Sequence, residues 1–245
     1  MIRKIKSIVE TALKSKIISK WRIPKYSLEC HLRELFNHHE IDCVLDVGAN
    51  EGQFAQFLRY QLEFKGTILS FEPDKTAFNT LKNQSKNDPL WHCYMFALGS
   101  EEKTAQFNIM AASVFNSARQ PDISTLFKEE LMVVDTYDVD FKTLDKIWPE
   151  LRNQHNIKSA YLKLDTQGFD LEVLHGSEKT FHEIKALQCE LAIIKIYQDM
   201  PDYKEVISYL ENRNFFLSGT HPVSLDKNLR IIEFDGIFVR INQND

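Results

Sequence analysis

The sequence predicts an α/β fold: a Rossmann-like, doubly wound, mostly parallel sheet with helices on both faces and an antiparallel C-terminal hairpin. Three observations predict it. From residue 41 onward, short apolar runs of strand length alternate with stretches of helical periodicity. A turn carrying two glycines, Gly48-Ala49-Asn50-Glu51-Gly52, joins the first such run to the first such helix. The chain then closes on two β-rich segments with a polar connection between them.

Ile41–Val47 is an apolar run interrupted only by Asp42 and Asp46, as a buried parallel strand reads. Residues 53–65 follow as a helix with Phe54, Phe57, Leu58 and Leu62 on one face, stopped by Gly66. Thr67–Phe71 is the second strand, and Asp74 can cap a helix carrying Ala77, Phe78 and Leu81. Trp91–Leu98 is read as a third strand. Thr104–Ile109 and Met132–Val139 read as strands, with a polar stretch between them long enough to be functional. Leu144–Leu151 is a short helix, Ala160–Leu164 a strand, Asp170–His175 a helix, Ala186–Ile194 a strand and Tyr203–Asn212 a helix. Phe215–Leu217 and Ile231–Arg240 make the closing hairpin, and Thr220–Asn228 is expected to be a long polar loop within it.

Residues 1–40 are expected to form a helical appendage to a domain spanning 41–245. Ile2, Ile5, Ile8, Val9, Ala12 and Leu13 recur at helical spacing in residues 1–20, with lysines between them. Residues 28–40 suggest a second short helix. The first 25 residues hold eight basic side chains against Glu10 alone, a net +7. With −5 for the whole chain, the other 220 residues carry −12. An acidic body with a basic arm does not suit general nucleic-acid binding. The arm suits peripheral contact with an anionic membrane surface through residues 1–25, or packing against the domain. The N-terminus has no continuous apolar core of a secretory signal, and no run is long enough to span a membrane, so a cytoplasmic location is expected. Cys30, Cys43, Cys93 and Cys189 form no CxxC pair, which points to a reducing compartment. No metal-ligand spacing is present, and no metal is expected.

The chemistry is concentrated around Asp46-Val47-Gly48-Ala49-Asn50-Glu51-Gly52. Glycines between a strand and a helix let the backbone turn tightly and approach a ligand. The spacing is neither Gly-x-Gly-x-x-Gly nor a phosphate loop ending in Gly-Lys-Ser/Thr. A leading acid without a phosphate-clamping lysine suits a ligand with a cationic amino-acid end, as S-adenosylmethionine has. Glu72, after the second strand and 20 residues beyond Gly52, is placed to bond the two ribose hydroxyls of an adenosine. An oxidoreductase using an adenine dinucleotide and a non-catalytic binding module are the competing readings. Asn50, in place of a middle glycine, argues against the first.

The chain resembles the FkbM family of S-adenosylmethionine-dependent methyltransferases. The matching segments are LDVGANEGQF at 45–54, FEPDKTAFNTLKNQ at 71–84, ALGS at 97–100, TLD at 143–145, LKLDTQGFDLEVLHGSEKT at 162–180, QCEL at 188–191 and FDGIFVR at 234–240. The resemblance implies a Rossmann-like fold and methyl transfer to oxygen, usually a hydroxyl of a sugar or natural product. Carried over, it places Gly48, Asn50 and Gly52 at the methionine end of the cofactor, with Asp46 beneath the loop. It gives the ribose hydroxyls to Glu72, and the adenine surroundings to Pro73, Ala97 and Leu98. Where the family often has Glu, this chain has Gln167, which keeps the shape and loses the charge.

A hydroxyl is a poor nucleophile, so a base that takes its proton assists transfer. Asp165, at the carboxyl edge of a strand, and Glu190, within a strand, are the candidate catalytic residues. Asn116 and Ser117 in the polar stretch, Gln167, and His221 in the late loop are the candidate acceptor contacts.

Overall fold

In the computed structural model, residues 23–122 and 127–241 are described. The predicted helix over residues 1–20 lies outside them. The elements in chain order are α1 (Ile23–His38), β1 (Cys43–Val47), α2 (Gln53–Tyr60), β2 (Thr67–Phe71), α3 (Lys75–Ser85), β3 (Trp91–Tyr94), β4 (Ala97–Leu98) and β5 (Lys103–Met110). They continue with β6 (Val133–Lys142), α4 (Leu144–His155), β7 (Ala160–Leu164), α5 (Asp170–His175), β8 (Ile184–Ala192), α6 (Tyr203–Glu211), β9 (Phe215–Leu225) and β10 (Ile231–Arg240).

Seven strands form one sheet in the order β3-β2-β1-β7-β8-β10-β9. The first five are parallel; β10 runs antiparallel to β8, and β9 to β10. This is the predicted fold class. Every residue of β1, β2 and β7 is buried, because helices cover both faces. Cys43, Leu45 and Val47 pack with Trp148 of α4, Leu174 of α5 and Leu210 of α6. Val44, one position out of phase, packs on the other face with Leu58 of α2, Leu81 of α3, and Leu32 and Phe36 of α1. The helix assigned to the appendage is therefore a wall of the main core, because its apolar stripe is buried there.

Several boundaries differ from expectation for physical reasons. The helix expected over 53–65 ends at Tyr60. Arg59 donates to the carbonyls of Phe64 and Gly66, at 2.8 and 2.9 Å, and holds the following turn closed. The single strand expected over Trp91–Leu98 is two. The chain leaves the main sheet after Tyr94, and Ala97–Leu98 pairs with β6 in a separate sheet ordered β4-β6-β5. That small sheet buries Phe107, Val139 and Phe141 against Phe169. The polar loop expected over Thr220–Asn228 is mostly strand. β9 reaches Leu225, and the turn is tightened by Asp226, whose Oδ1 accepts from the N–H groups of Asn228 and Arg230. Among the described residues no helix is long and apolar enough to cross a membrane.

Candidate active site

One cavity of about 720 Å³ opens above the carboxyl ends of β1, β2, β7 and β8, where open α/β sheets bind ligands. One end lies between the β1–α2 turn, the segment after β2 and the small sheet. Gly48 and Asn50 line it, with φ of 74° and 46°. A Cβ on Gly48 would fall 1.9 Å from the Asp165 carbonyl oxygen, so the turn closes only with glycine there. The left-handed Asn50 directs its N–H to Glu72 Oε2 at 2.7 Å, and Asp74 N–H donates to Oε1 at 2.8 Å. Glu72 is thus fixed by two backbone donors at the cavity wall. Burial pushes its carboxyl up to about 7, although both backbone hydrogen bonds pull the other way. Pro73, Ala97 and Leu98 line the same end, with Phe107, Phe141 and Phe169. The predicted cap also forms: Asp74 Oδ1 accepts from Ala77 N–H at 2.6 Å and starts α3.

Two predicted cofactor residues do not reach the cavity surface. Gly52, at φ 94°, faces inward, and a Cβ there would meet the Trp91 ring at 2.8 Å. It is needed for packing of the α2 start. Asp46 is fully buried one layer down. Its Oδ2 accepts from Ser70 Oγ at 3.3 Å, and its Oδ1 lies 3.4 Å from Lys163 Nζ.

The other end of the cavity is polar. Lys163 Nζ lies 3.2 Å from Asp165 Oδ2. Burial works against the Lys163 ammonium, but Asp165 and Asp46 outweigh it and hold its pKa above the ordinary value. Gln167 Nε2 donates to Asp165 Oδ1 at 3.0 Å and to Glu190 Oε2 at 3.1 Å, and its Oε1 accepts from the Tyr197 hydroxyl at 3.1 Å. The amide joins two carboxyls that a glutamate at 167 would repel. Burial, then Asp165 and Glu233, push the Glu190 carboxyl well above the carboxylate range. Glu233 and Asp235, on β10, complete this end. Burial, followed by Asp165, pushes each up to about 7.

Other sequence-predicted residues fall in and around this end. Asn116 lines the cavity, and its Oδ1 accepts from Met110 N–H at 2.8 Å. Ser117 does not line it. It is fully buried and donates to the Gln167 carbonyl at 2.8 Å, so it supports the left-handed Gln167 turn (φ 52°) from behind. His221 is also not a cavity residue. It lies on β9 with its Nε2 3.3 Å from His31 Nδ1 of α1, which holds the ring away from the cavity.

Sequence reasoning missed Lys163 as a site residue, along with Asp170, Glu233 and Asp235. Asp170 ties the site together: Oδ1 accepts from Thr166 N–H and its hydroxyl, and Oδ2 accepts from Glu190 N–H at 3.0 Å. Burial pushes its carboxyl up to about 6, against the Thr166 hydrogen bonds. The missed signal was positional. On the face shared with α1–α3, each strand turns from apolar to polar toward one edge. Val44 gives way to Asp46, Ile68 to Ser70, Tyr161 to Lys163, and Ala186 to Gln188 and Glu190. The register sets Ser70, Asp46, Lys163 and Gln188 in one row, and places Asp235 opposite Glu190.

A glycine turn, a fixed acid after the second strand and a cavity at the carboxyl edge define an α/β protein with a ligand-sized site where such sheets bind ligands. The methyltransferase FkbM domain matches residues 46–217, and the chain belongs to that family of methyltransferases. The methyltransferase sdnD of Sordaria araneosa is 22% identical over 227 residues, 81% of this chain and 86% of that one. The crystal structure of methyltransferase FkbM from Methylobacillus flagellatus superposes with a TM-score of 0.52 at 14% identity, over 80% of this chain. The chain spans 43% of the length of that structure, and the likeness is one of fold.

Proposed function

We propose that this methyltransferase uses S-adenosylmethionine and methylates a hydroxyl oxygen, in a sugar of a glycan or glycoconjugate. The observation that carries the reading is Glu72. It is 6% exposed, aimed into the cavity, and held by two backbone N–H groups that leave a lone pair on each oxygen for a vicinal diol. The residues present fit the cofactor. Asn50 Oδ1 is buried at the cavity wall without a hydrogen-bond partner among the described residues, and an ammonium group would satisfy it. Pro73, Ala97, Leu98 and Phe141 offer apolar walls to a base. When bound, S-adenosylmethionine supplies an electrophilic methyl group for in-line displacement by the acceptor oxygen.

The protein's own residues hold the acceptor and move its proton. Asp165 faces the cavity and carries an ion pair, so it is the carboxylate that accepts the hydroxyl proton. Glu190, pushed toward its neutral form, holds a proton and orients the acceptor through a hydrogen bond. Gln167 keeps the two apart in role by donating to both. Hydrogen-bonding groups at this end, including Gln188 and Ser224, suit a polyol. Mass spectrometry of a glycan panel after incubation with the cofactor tests the reading. Methylated sugar is expected, and Asp165→Asn is expected to slow transfer by about 10²–10⁴-fold with S-adenosylhomocysteine binding retained. Full transfer by that variant removes Asp165 as the base.

A further inference from the structure

The acceptor end of the cavity gathers more carboxyl groups than removal of one hydroxyl proton requires. Asp165, Glu190, Glu233 and Asp235 all line it. Lys163 is the ammonium facing them, and it is engaged by Asp46 and Asp165. Among the described residues, no ion pair reaches Glu190, Glu233 or Asp235.

Glu233 is the sharpest case. It is 5% exposed, yet it faces the cavity. Its Oε2 accepts from Ser224 Oγ at 3.4 Å, longer than an ordinary O–H···O bond. Asp235 stands directly across from Glu190 in the β8–β10 ladder, where like charges weaken pairing. Its hydrogen bond from Gln188 lends no charge. Glu233 is buried and Asp235 half-buried, and a cation entering between them would compensate both carboxylates. Leu28, Phe54, Phe57 and Val223 line the same cavity, and an aromatic face in a cavity that holds carboxylates suits an ammonium group. The Phe54 ring already lies 5.4 Å from the Lys163 ammonium.

We infer that the acceptor is a hydroxyl compound that also bears an ammonium group, of the amino-sugar or aminocyclitol class, and that Glu233 and Asp235 receive that ammonium. This deepens the proposed function and rests on it. Glu190 and Asp165 remain with the reacting hydroxyl, one strand nearer the Gly48 turn.

The test uses the full chain saturated with S-adenosylhomocysteine. Two ammonium probes, glucosamine and 2-deoxystreptamine, are compared with glucose and myo-inositol by thermal shift and by calorimetric titration at neutral pH. At least one ammonium probe is expected to bind about tenfold or more tightly than its neutral counterpart. Glu233→Gln with Asp235→Asn is expected to erase the difference while the stabilisation by S-adenosylhomocysteine persists, which also shows that the variant folds. Equal binding within both pairs, absence of binding by both ammonium probes, or an advantage that survives the double substitution overturns the inference. Should the double variant fail to fold, the wild-type comparison still decides. Failure of S-adenosylhomocysteine itself to stabilise the wild-type chain is a different result: it removes the proposed cofactor, and the inference with it.

Discussion

The two ends of the cavity are held together by different means. Around Glu72, the contacts are backbone N–H groups, a left-handed asparagine and a glycine pressed against a carbonyl. Around Glu190, they are side chains from β7, the β7–α5 loop, α5, β8 and β10, brought together by strand register and by the contacts of Gln167 and Asp170. The first end is defined by peptide geometry. The second is a network of carboxyls around one ammonium and one amide, and it tolerates change only when charge and hydrogen bonding stay matched.

That difference orders the expected effects. The largest belongs to Lys163. Lys163→Met leaves the fully buried Asp46 carboxylate without its cation and is expected to cost about 3–5 kcal/mol, read as a lowered denaturant midpoint. A loss below 1 kcal/mol would mean that Asp46 is neutral in the native state. Gly48→Ala sharpens the other side of the comparison. Its Cβ would overlap the Asp165 carbonyl at a left-handed φ, and a loss of about 2–4 kcal/mol is expected. Glu72→Ala removes no core packing of comparable size. It is expected to fold, and to lose on the order of 100-fold in S-adenosylhomocysteine affinity, about 2.7 kcal/mol.

The smallest effect is a pH dependence, and it separates the ends by charge. Glu72, Glu233 and Asp235 have folded pKa values raised to about 7. A carboxyl raised on folding contributes stability that is fully present below its unfolded pKa and lost as pH rises through the folded value. The unliganded protein should therefore lose several degrees of thermal midpoint between pH 6.5 and pH 8. The histidines whose pKa is lowered on folding, His31, His92 and His221 among them, act mainly below this window. Glu233→Gln with Asp235→Asn should flatten the slope and raise the midpoint at pH 8. An unchanged slope would place the charge imbalance elsewhere.

The same contrast explains what the sequence disclosed. Gly48, Asn50 and Glu72 act through contiguous segments, and each segment carries its own signal: a strand, a turn, an acid. The sheet follows from alternating apolar runs, so its parallel core and closing hairpin were also legible. The small β4-β6-β5 sheet was not, because an apolar run from Trp91 to Leu98 gives no sign of where it leaves one sheet for another. Glu233 and Asp235 look like ordinary alternation within IIEFDGIFVR. Only the pairing of Asp235 with Glu190 makes them part of a site. Ser117 and His221 show the reverse case. Both are residue types that suit acceptor binding, but one hydroxyl is committed to a backbone carbonyl and one imidazole to another imidazole.

The central claim is that Glu72, fixed by the N–H groups of Asn50 and Asp74, receives the ribose of an adenosyl cofactor. Calorimetric titration of the full chain with S-adenosylhomocysteine tests it most directly. Micromolar binding that weakens on the order of 100-fold in Glu72→Ala and is kept in Glu233→Gln with Asp235→Asn is the predicted result. Binding that Glu72→Ala leaves undiminished, or no binding by the wild-type chain at millimolar ligand, would contradict it.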